Sequence, residues 1–188
     1  GKSVKAVIRY RNVLPRGRTF GWADLRRCRY DQYLMMHALT MRTEVVRASG
    51  LVMPEHTFYV DYLYSFVPLP YISTIRYLDV DLYHYFIGRD DQSVNEKVLT
   101  SRVYHYWRVA RIMMRAYHVY DDIDSPQLRS YMMNYFTIIM AICSVFSKLS
   151  DREDAMDQLE ALWRELREYY ERMYRRAKHG VVGTATNL

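Results

Sequence analysis

The chain has 188 residues, of which 50% are hydrophobic and 26% charged, with a formal net charge of +6. A chain of this length can bury roughly 70% of its unfolded surface, so we expect one domain with a sizeable core. Lys and Arg are spread along the chain and no aromatic-plus-basic RNA signature occurs, which argues against nucleic acid as a partner. Cys28 and Cys143 lack CxxC or Cys/His spacing, which predicts no structural zinc site and a reducing, cytoplasmic compartment.

Short elements of mixed type are predicted for the first part of the chain. Val4 to Tyr10 has the pattern of a strand, and Pro15-Arg16-Gly17 favours a hairpin turn onto Thr19 to Trp22. A short helix is predicted from Trp22 to Tyr30. Its three arginines, which either form a solvated face or bind phosphate, are Arg26, Arg27 and Arg29.

The next residues alternate between short apolar runs and polar loops. Residues 33–42 are mostly apolar and contain His37, which is either a satisfied structural histidine or a ligand. Thr43 to Gly50 is predicted as one or two helical turns, capped by its threonine and ended by its glycine. The stretch from Met53 to Tyr62 places two acids and a histidine in a short loop, which leads into an aromatic helix that Pro68 and Pro70 end.

The stretch from Tyr77 to Glu96 combines a strand pattern, a polar turn and a helix start. Alternating apolar and polar residues predict a half-buried strand that Gly88 ends. Ser93 and Glu96 form a capping box, which indicates a helix. The polar residues between them, Arg89 to Gln92, are typical of a loop that presents a ligand site.

No complete catalytic motif can be assembled from spacing alone. The sequence has no Gly-rich phosphate loop, nucleophile elbow or HExxH motif. Asp79 and Asp81 form an Asp-x-Asp pair on one face of the predicted strand, where they either face solvent or hold a divalent ion. The mid-strand position favours solvent, so we predict no metal site in this chain.

The composition changes near Gln92, and the residues beyond it are predicted to be helical. One apolar seam with three- and four-residue steps runs from Leu99 to Tyr117, and another runs from Met156 to Met173. Between them, Ser125-Pro126 begins a helix that is apolar nearly all round and should be central. Its apolar part, 131–147, is shorter than the about 20 residues of a membrane span, which favours a buried helix.

These elements predict an α+β, predominantly helical fold in three parts. Residues 1–92 form an α/β portion with a few-stranded mixed sheet, and residues 93–180 form a helical subdomain of about three helices. Ser150 and Glu153 form a second capping box, which opens the third of these helices. The small and polar residues 181–188 predict a disordered tail.

A basic, amphipathic segment lies near the end of the predicted helical subdomain. Such a segment either sits on anionic lipid or is a solvated helix end, where positive residues are favoured in any case. A protein-interaction or peripheral membrane-binding module is therefore an alternative function, and homo-oligomer formation stays open. The residues concerned are Tyr170, Arg172, Met173, Tyr174, Arg175, Arg176 and Lys178.

Several segments resemble the later half of bacterial family-two glycosyltransferases. They are Leu51-Val-Met-Pro-Glu-His-Thr-Phe-Tyr-Val-Asp61 and the stretch from Tyr77 to Lys97, in which Ile87-Gly-Arg-Asp-Asp-Gln-Ser-Val94 is the most specific string. Arg9 to Phe20 and Gln32 to Glu44 are similar to the same group. The likeness therefore covers most of the chain.

The family uses the GT-A fold, so the resemblance implies that residues 1–92 are the acceptor side of a GT-A-like core. It implies inverting transfer of a sugar from a nucleotide-sugar donor to a glycan or lipid-linked acceptor of the cell envelope. It also implies Mg²⁺ or Mn²⁺ in a full-length enzyme, with no cofactor in this chain. The expected location is the cytoplasm, with the inner face of the membrane as a place of contact.

The resemblance also implies roles for individual residues. Asp61 stands where the family has its carboxylate base; alternatively, it caps or steadies its own helix. The predicted substrate-binding residues are His56, Tyr59, Arg89 and Gln92, although Tyr59 replaces an acidic residue of the family pattern and Arg89 has neighbouring aspartates to pair with. The nucleotide-binding half with its Asp-x-Asp is expected to precede this sequence, so the chain alone is predicted to lack transferase activity.

Overall fold

The computed structural model describes residues 7–81, 83–84 and 96–187, and this part of the chain is predominantly helical. The helices are α1 (Thr43–Ala48), α2 (Asp61–Tyr64), α3 (Glu96–Ser101), α4 (Val103–Ala116), α5 (Val119–Asp122), α6 (Pro126–Lys148), α7 (Ala155–Tyr169), α8 (Glu171–His179) and α9 (Val181–Asn187). Three single 3-10 turns lie at Trp22–Asp24, Met36–Ala38 and Leu69–Tyr71. The strands are β1 (Thr19–Phe20) and β2 (Ile75–Arg76).

Helix α6 is the centre of the molecule, as its sequence predicts. The Ser125 hydroxyl accepts the Leu128 N–H at 3.3 Å and so caps the helix start, where Pro126 occupies the first turn. Helices α4, α7, α8 and α9 all pack against α6. By length and composition α6 could also cross a membrane, but 61% of its apolar window is buried inside the protein, as in a core helix.

The first predicted seam is confirmed, although it belongs to two helices. Val103, Ala110 and Met113 are fully buried on α4, because their three- and four-residue spacing keeps them on one side of the helix. The helical conformation is interrupted at Arg102, which separates α3 from α4. Trp107 of α4 donates its Nε1–H to the Ser147 hydroxyl at 2.9 Å, which joins α4 to the end of α6.

The second seam differs from the prediction at both ends. The capping box is wrong, because α7 begins at Ala155 while the Ser150 hydroxyl donates to the Thr100 carbonyl at 3.0 Å. Met156 is 45% exposed rather than buried. At the other end the extended backbone of Tyr170 separates α7 from α8.

The chain end forms a helix where the sequence predicts a disordered tail. Helix α9 packs against α6 and α8, and the Asn187 amide oxygen accepts hydrogen bonds from the Ser144 hydroxyl at 3.0 Å and the Lys178 ammonium at 2.9 Å. Gly183 is buried against the end of α8. Tertiary contacts therefore order a segment whose small, polar composition favours fraying.

The first part of the chain contains less regular structure than predicted. Strand β1 pairs antiparallel with β2, with Phe20 opposite Ile75, instead of closing a local hairpin. This two-stranded sheet is the whole of the sheet structure within residues 7–81, 83–84 and 96–187. The helix predicted from 22 to 30 is only the turn Trp22–Asp24, and residues 78–81 are not a strand. Gly88 and the Ser93 capping box lie outside the described residues.

An ion pair between α4 and α7 gives a first testable prediction. The Arg111 guanidinium donates to both carboxylate oxygens of Glu165 at 2.8 to 3.0 Å and holds the pKa of Glu165 below its ordinary value. We expect Glu165→Gln to lower the free energy of unfolding by about 1 kcal/mol at pH 7. Because the folded pKa is depressed, the contribution is present above the unfolded pKa of about 4.3 and is lost as the pH falls through the folded value.

Urea unfolding of both proteins at pH 7 and at pH 3 measures this difference. Glu168→Gln, on an exposed side of the same helix, is the matched control and should change stability by less than about 0.5 kcal/mol. A Glu165→Gln effect that stays the same at pH 3 would exclude the ion pair as its cause.

Candidate functional site

Asp61 is the first residue of α2 and follows the loop at 53–60. Its carboxylate is half-buried, and within the described part of the chain no other side chain forms a hydrogen bond or ion pair with it. Burial raises the pKa of Asp61, while its own backbone N–H and His37 act in the opposite direction. Val60 is the N-cap of α2, which has no side-chain capping hydrogen bond, so the geometry does not use Asp61 as a cap.

Tyrosines from four separate segments surround this carboxylate. Burial raises the pKa of each of their hydroxyls, and the negative charge of Asp61 adds to the increase. Their rings also pack on one another, with centroids of Tyr62 and Tyr106 at 6.2 Å and of Tyr33 and Tyr135 at 5.5 Å. The five residues are Tyr33, Tyr59, Tyr62, Tyr106 and Tyr135, and we call them with Asp61 the Asp61 cluster.

His37 lies at the exposed rim of the Asp61 cluster. It belongs to the 3-10 turn Met36–Ala38 and stacks on Tyr83 with a ring separation of 4.1 Å. Partial burial lowers the pKa of His37, and the charge of Asp61 opposes this change. His37 is therefore an exposed imidazole with a lowered pKa that interacts electrostatically with the Asp61 carboxylate, and it is not a histidine of the core.

Two arginines of the α3–α4 region hold the loop that precedes Asp61. The Arg102 guanidinium lies 3.9 Å from the ring centre of Phe58, a cation–π contact. The Arg108 Nη1 donates to the Thr57 hydroxyl at 2.7 Å and to the Glu55 carbonyl at 3.4 Å. The helical part of the protein thus positions the loop that carries Asp61.

The loop itself contains two residues in the left-handed region of backbone space. His56 has φ of 51° and Tyr59 has φ of 65°, conformations that cost of order 1 kcal/mol or more for residues other than glycine. Tyr59 stacks on Tyr106 of α4 with a centroid distance of 3.9 Å and an angle of 10°. This stack is a favourable contact that offsets part of the backbone cost at Tyr59.

The structure brings some predicted site residues together and leaves others undecided. Tyr59 and Asp61 are in one cluster, whereas His56 is exposed on the same loop. Arg89 and Gln92 lie outside the described residues. Arg102 and Arg108 were not predicted as loop contacts, because no local pattern in the sequence joins them to residues 53–60.

Both carboxylates of the Asp-x-Asp pair, Asp79 and Asp81, accept hydrogen bonds from arginines. Asp81 accepts two hydrogen bonds from Arg9 at 3.1 and 3.3 Å, and Asp79 accepts from Tyr77 at 2.7 Å and from Arg16 at 3.4 Å. Within residues 7–81, 83–84 and 96–187 no group of three or more His, Cys, Asp or Glu residues is placed to hold a metal ion.

The basic segment of α8 has its apolar side turned into the protein. Met173 and Ala177 are fully buried, so they are not available for insertion into a lipid surface. Arg175 pairs with Glu171 at 2.8 Å, and Lys178 lies over the Trp163 ring at 4.6 Å. Electrostatic contact with a membrane stays a prediction that relies on the remaining basic groups.

No protein-family model, curated protein or solved structure matches the chain. The chemical potential of the site therefore follows from its own groups. A half-buried carboxylate that has no bonded side-chain partner among the described residues, and whose pKa is raised by burial, is suited to taking a proton from a neutral hydroxyl. Tyrosine rings and hydroxyls around it can contact the apolar faces and the hydroxyls of a polar ligand.

Proposed function

We propose that the chain is the acceptor-side and helical part of an inverting glycosyltransferase that resembles bacterial family two, with Asp61 as the base. The observation that carries the proposal is the state of the Asp61 carboxylate, which is partly buried, has a raised pKa and has no bonded side-chain partner among the described residues. A carboxylate with a purely structural role is instead expected to accept hydrogen bonds from a cationic side chain, as Glu165 does from Arg111.

The proposed reaction has a defined balance of bonds and protons. An acceptor hydroxyl oxygen attacks the anomeric carbon, the bond from that carbon to the diphosphate oxygen breaks, and the diphosphate leaves with the electron pair. The hydroxyl proton passes to an Asp61 carboxylate oxygen, since a neutral hydroxyl is a poor nucleophile without a base. Attack opposite the leaving group inverts the configuration.

The remaining roles follow from position and chemistry. Tyr59 borders the acceptor in the Asp61 cluster, and His56, Arg89 and Gln92 contact the acceptor or the diphosphate. The nucleotide and its Mg²⁺ or Mn²⁺ ion are held by a GT-A nucleotide-binding half that this chain does not supply. Asp79 and Asp81, already paired with arginines, take no part in metal binding.

The proposal assigns the acceptor to this chain and the nucleotide to a separate half, and the 188-residue chain alone tests this assignment. We expect titration calorimetry with UDP-glucose and UDP-galactose, each with Mn²⁺, to show neither binding nor turnover. A longer reading frame that also encodes a nucleotide-binding half should bind the donor and transfer its sugar. Tight donor binding or turnover by the 188-residue chain would contradict the proposed division, and a longer frame without transfer activity would contradict the proposed function.

A further inference from the structure

A cleft of about 210 Å³ lies on the side of the protein formed by α5, the first half of α6 and α8. This volume is far more than the about 10–15 Å³ that one ordered water needs. The groups that line it include Tyr120 of α5, Arg129, Ser130 and Asn134 of α6, and Arg176 of α8. Together with Pro126 and Met133, which also line the cleft, the α6 residues lie three or four positions apart, so they share one face of the helix.

Arg129 is held in place by a neutral acceptor, so no carboxylate among the described residues compensates its charge. Its Nε and Nη2 donate to the Ile123 carbonyl at 3.0 and 2.8 Å, which leaves Nη1 for another acceptor. Carbonyl oxygens are neutral, so they orient the guanidinium but do not neutralise it, whereas Arg111 and Arg152 are paired with carboxylates. A positive group that is already oriented loses little entropy when it binds an anion.

The opposite wall contributes a second uncompensated charge. Arg176 forms no ion pair within the described residues, and neither does Arg172, one turn earlier on α8. The Arg172 guanidinium lies over the Tyr120 ring at 4.1 Å, at the edge of the same cleft. Arg175, between them in sequence, points to another side of the helix and is paired with Glu171.

The polar groups of the cleft suit an anion and leave no internal acid to compete for it. No carboxylate is among the lining groups. Of the acids in α5, Asp122 accepts the His118 backbone N–H at 2.7 Å, and Asp121 is not among the groups that line the cleft. The Ser130 hydroxyl and the Asn134 amide add neutral donors to the same cleft.

We propose that this cleft binds a phosphate group, as a phosphate monoester or diphosphate of a small molecule or of a lipid headgroup. Guanidinium groups recognise phosphate oxygens with paired, charge-assisted hydrogen bonds, and two of them on facing walls form a clamp for one such group. The assignment does not depend on Asp61 or on the proposed transferase activity, because no residue is shared between the two sites.

The test is a titration of inorganic diphosphate into the full 188-residue chain, followed by calorimetry and by ³¹P NMR. We expect saturable binding that weakens with added salt, since the contacts are ionic. Arg176→Gln should weaken binding by at least about tenfold, and it makes no hydrogen bond or ion pair in the described structure whose loss would unfold the protein. Ser130→Asp, which adds a carboxylate to the lining of the cleft, should abolish binding while the exposed position preserves the fold.

Arg175→Gln is the matched control, since it removes the same charge from the same helix on another side and should change affinity by less than about twofold. Absence of saturable binding at millimolar diphosphate, or equal losses for Arg175→Gln and Arg176→Gln, would overturn the proposal. Flotation with phosphatidic acid vesicles, whose headgroup is a phosphate monoester, separates the two sources of phosphate. Vesicle binding that requires Arg176 assigns a lipid headgroup, and diphosphate binding without vesicle binding assigns a free phosphorylated molecule. Vesicle binding that persists unchanged in Arg176→Gln, with no diphosphate binding, counts against the site.

Discussion

Replacing Asp61 by Asn is expected to lower the transfer rate by about 10²–10⁴-fold in a reading frame that carries both transferase halves. The amide has nearly the same shape as the carboxylate but cannot accept the hydroxyl proton. The loss should appear in kcat, because the base acts on the transition state, while KM for the donor stays nearly unchanged. Steady-state kinetics with a saturating acceptor measure both quantities.

The raised pKa of Asp61 separates a chemical loss from a folding defect. Its folded pKa lies above the unfolded value of about 3.9, so its contribution to stability falls as the pH rises between these two values. Above that window the buried charge destabilises the folded state. Asp61→Asn removes this charge, and we therefore expect an unchanged or slightly higher free energy of unfolding at pH 7.

Two variants complete this test. Asp157→Asn removes an exposed carboxylate from the first turn of α7 and should leave the rate unchanged, with a loss of stability of at most about 1 kcal/mol. Asp61→Glu keeps a carboxylate but displaces it by one methylene, so it should recover only part of the rate. Full activity of Asp61→Asn would show that another group is the base.

Gly183→Ala is expected to lower the free energy of unfolding by about 1–3 kcal/mol. A Cβ atom at this position would overlap the Ala177 carbonyl oxygen and lie only 2.6 Å from the Lys178 carbonyl oxygen, so α9 would have to move away from α8. Helix propensity predicts the opposite sign, because alanine is about 1 kcal/mol more favourable than glycine inside a helix. Urea unfolding of the two proteins decides between the two effects.

Thr184→Ala is the control for Gly183→Ala, since it is exposed on the same helix and should give a small propensity gain. Removal of residues 181–188 sets the largest effect that detachment of α9 can have. Stabilisation by Gly183→Ala would mean that α9 does not pack closely on α8.

Local patterns in the sequence predicted the helical elements that depend on neighbours along the chain. The cap at Ser125 and the seam of Val103, Ala110 and Met113 are confirmed, because a cap and a helical stripe need only residues within a few positions. The capping box at Ser150 is wrong, since its hydroxyl bonds to the distant Thr100 carbonyl instead. Such a competing partner has no local signal.

In the candidate site, too, contacts between residues far apart in sequence had no local signal. Asp61 and Tyr59 were predicted from a resemblance, and the sequence had no pattern that joined them to Tyr106 or Arg108. Strained backbone at Tyr59 became interpretable only with the ring of Tyr106 beneath it. Of the two arginines proposed to bind phosphate, Arg176 was predicted only as part of a basic helix end, and Arg129 had no signal. The reason is that a run of charged residues does not reveal which of them form ion pairs.

The sequence by itself determined that this protein is predominantly helical and that α6 is its central helix. Each of these depends on composition or on periodicity along the chain. Only the tertiary structure decided that β1 pairs with β2, that α9 is ordered, and that Asp61 stands half-buried among tyrosines. The physical reason is that burial, pairing and pKa depend on groups far apart in sequence, which only the packed chain brings into contact.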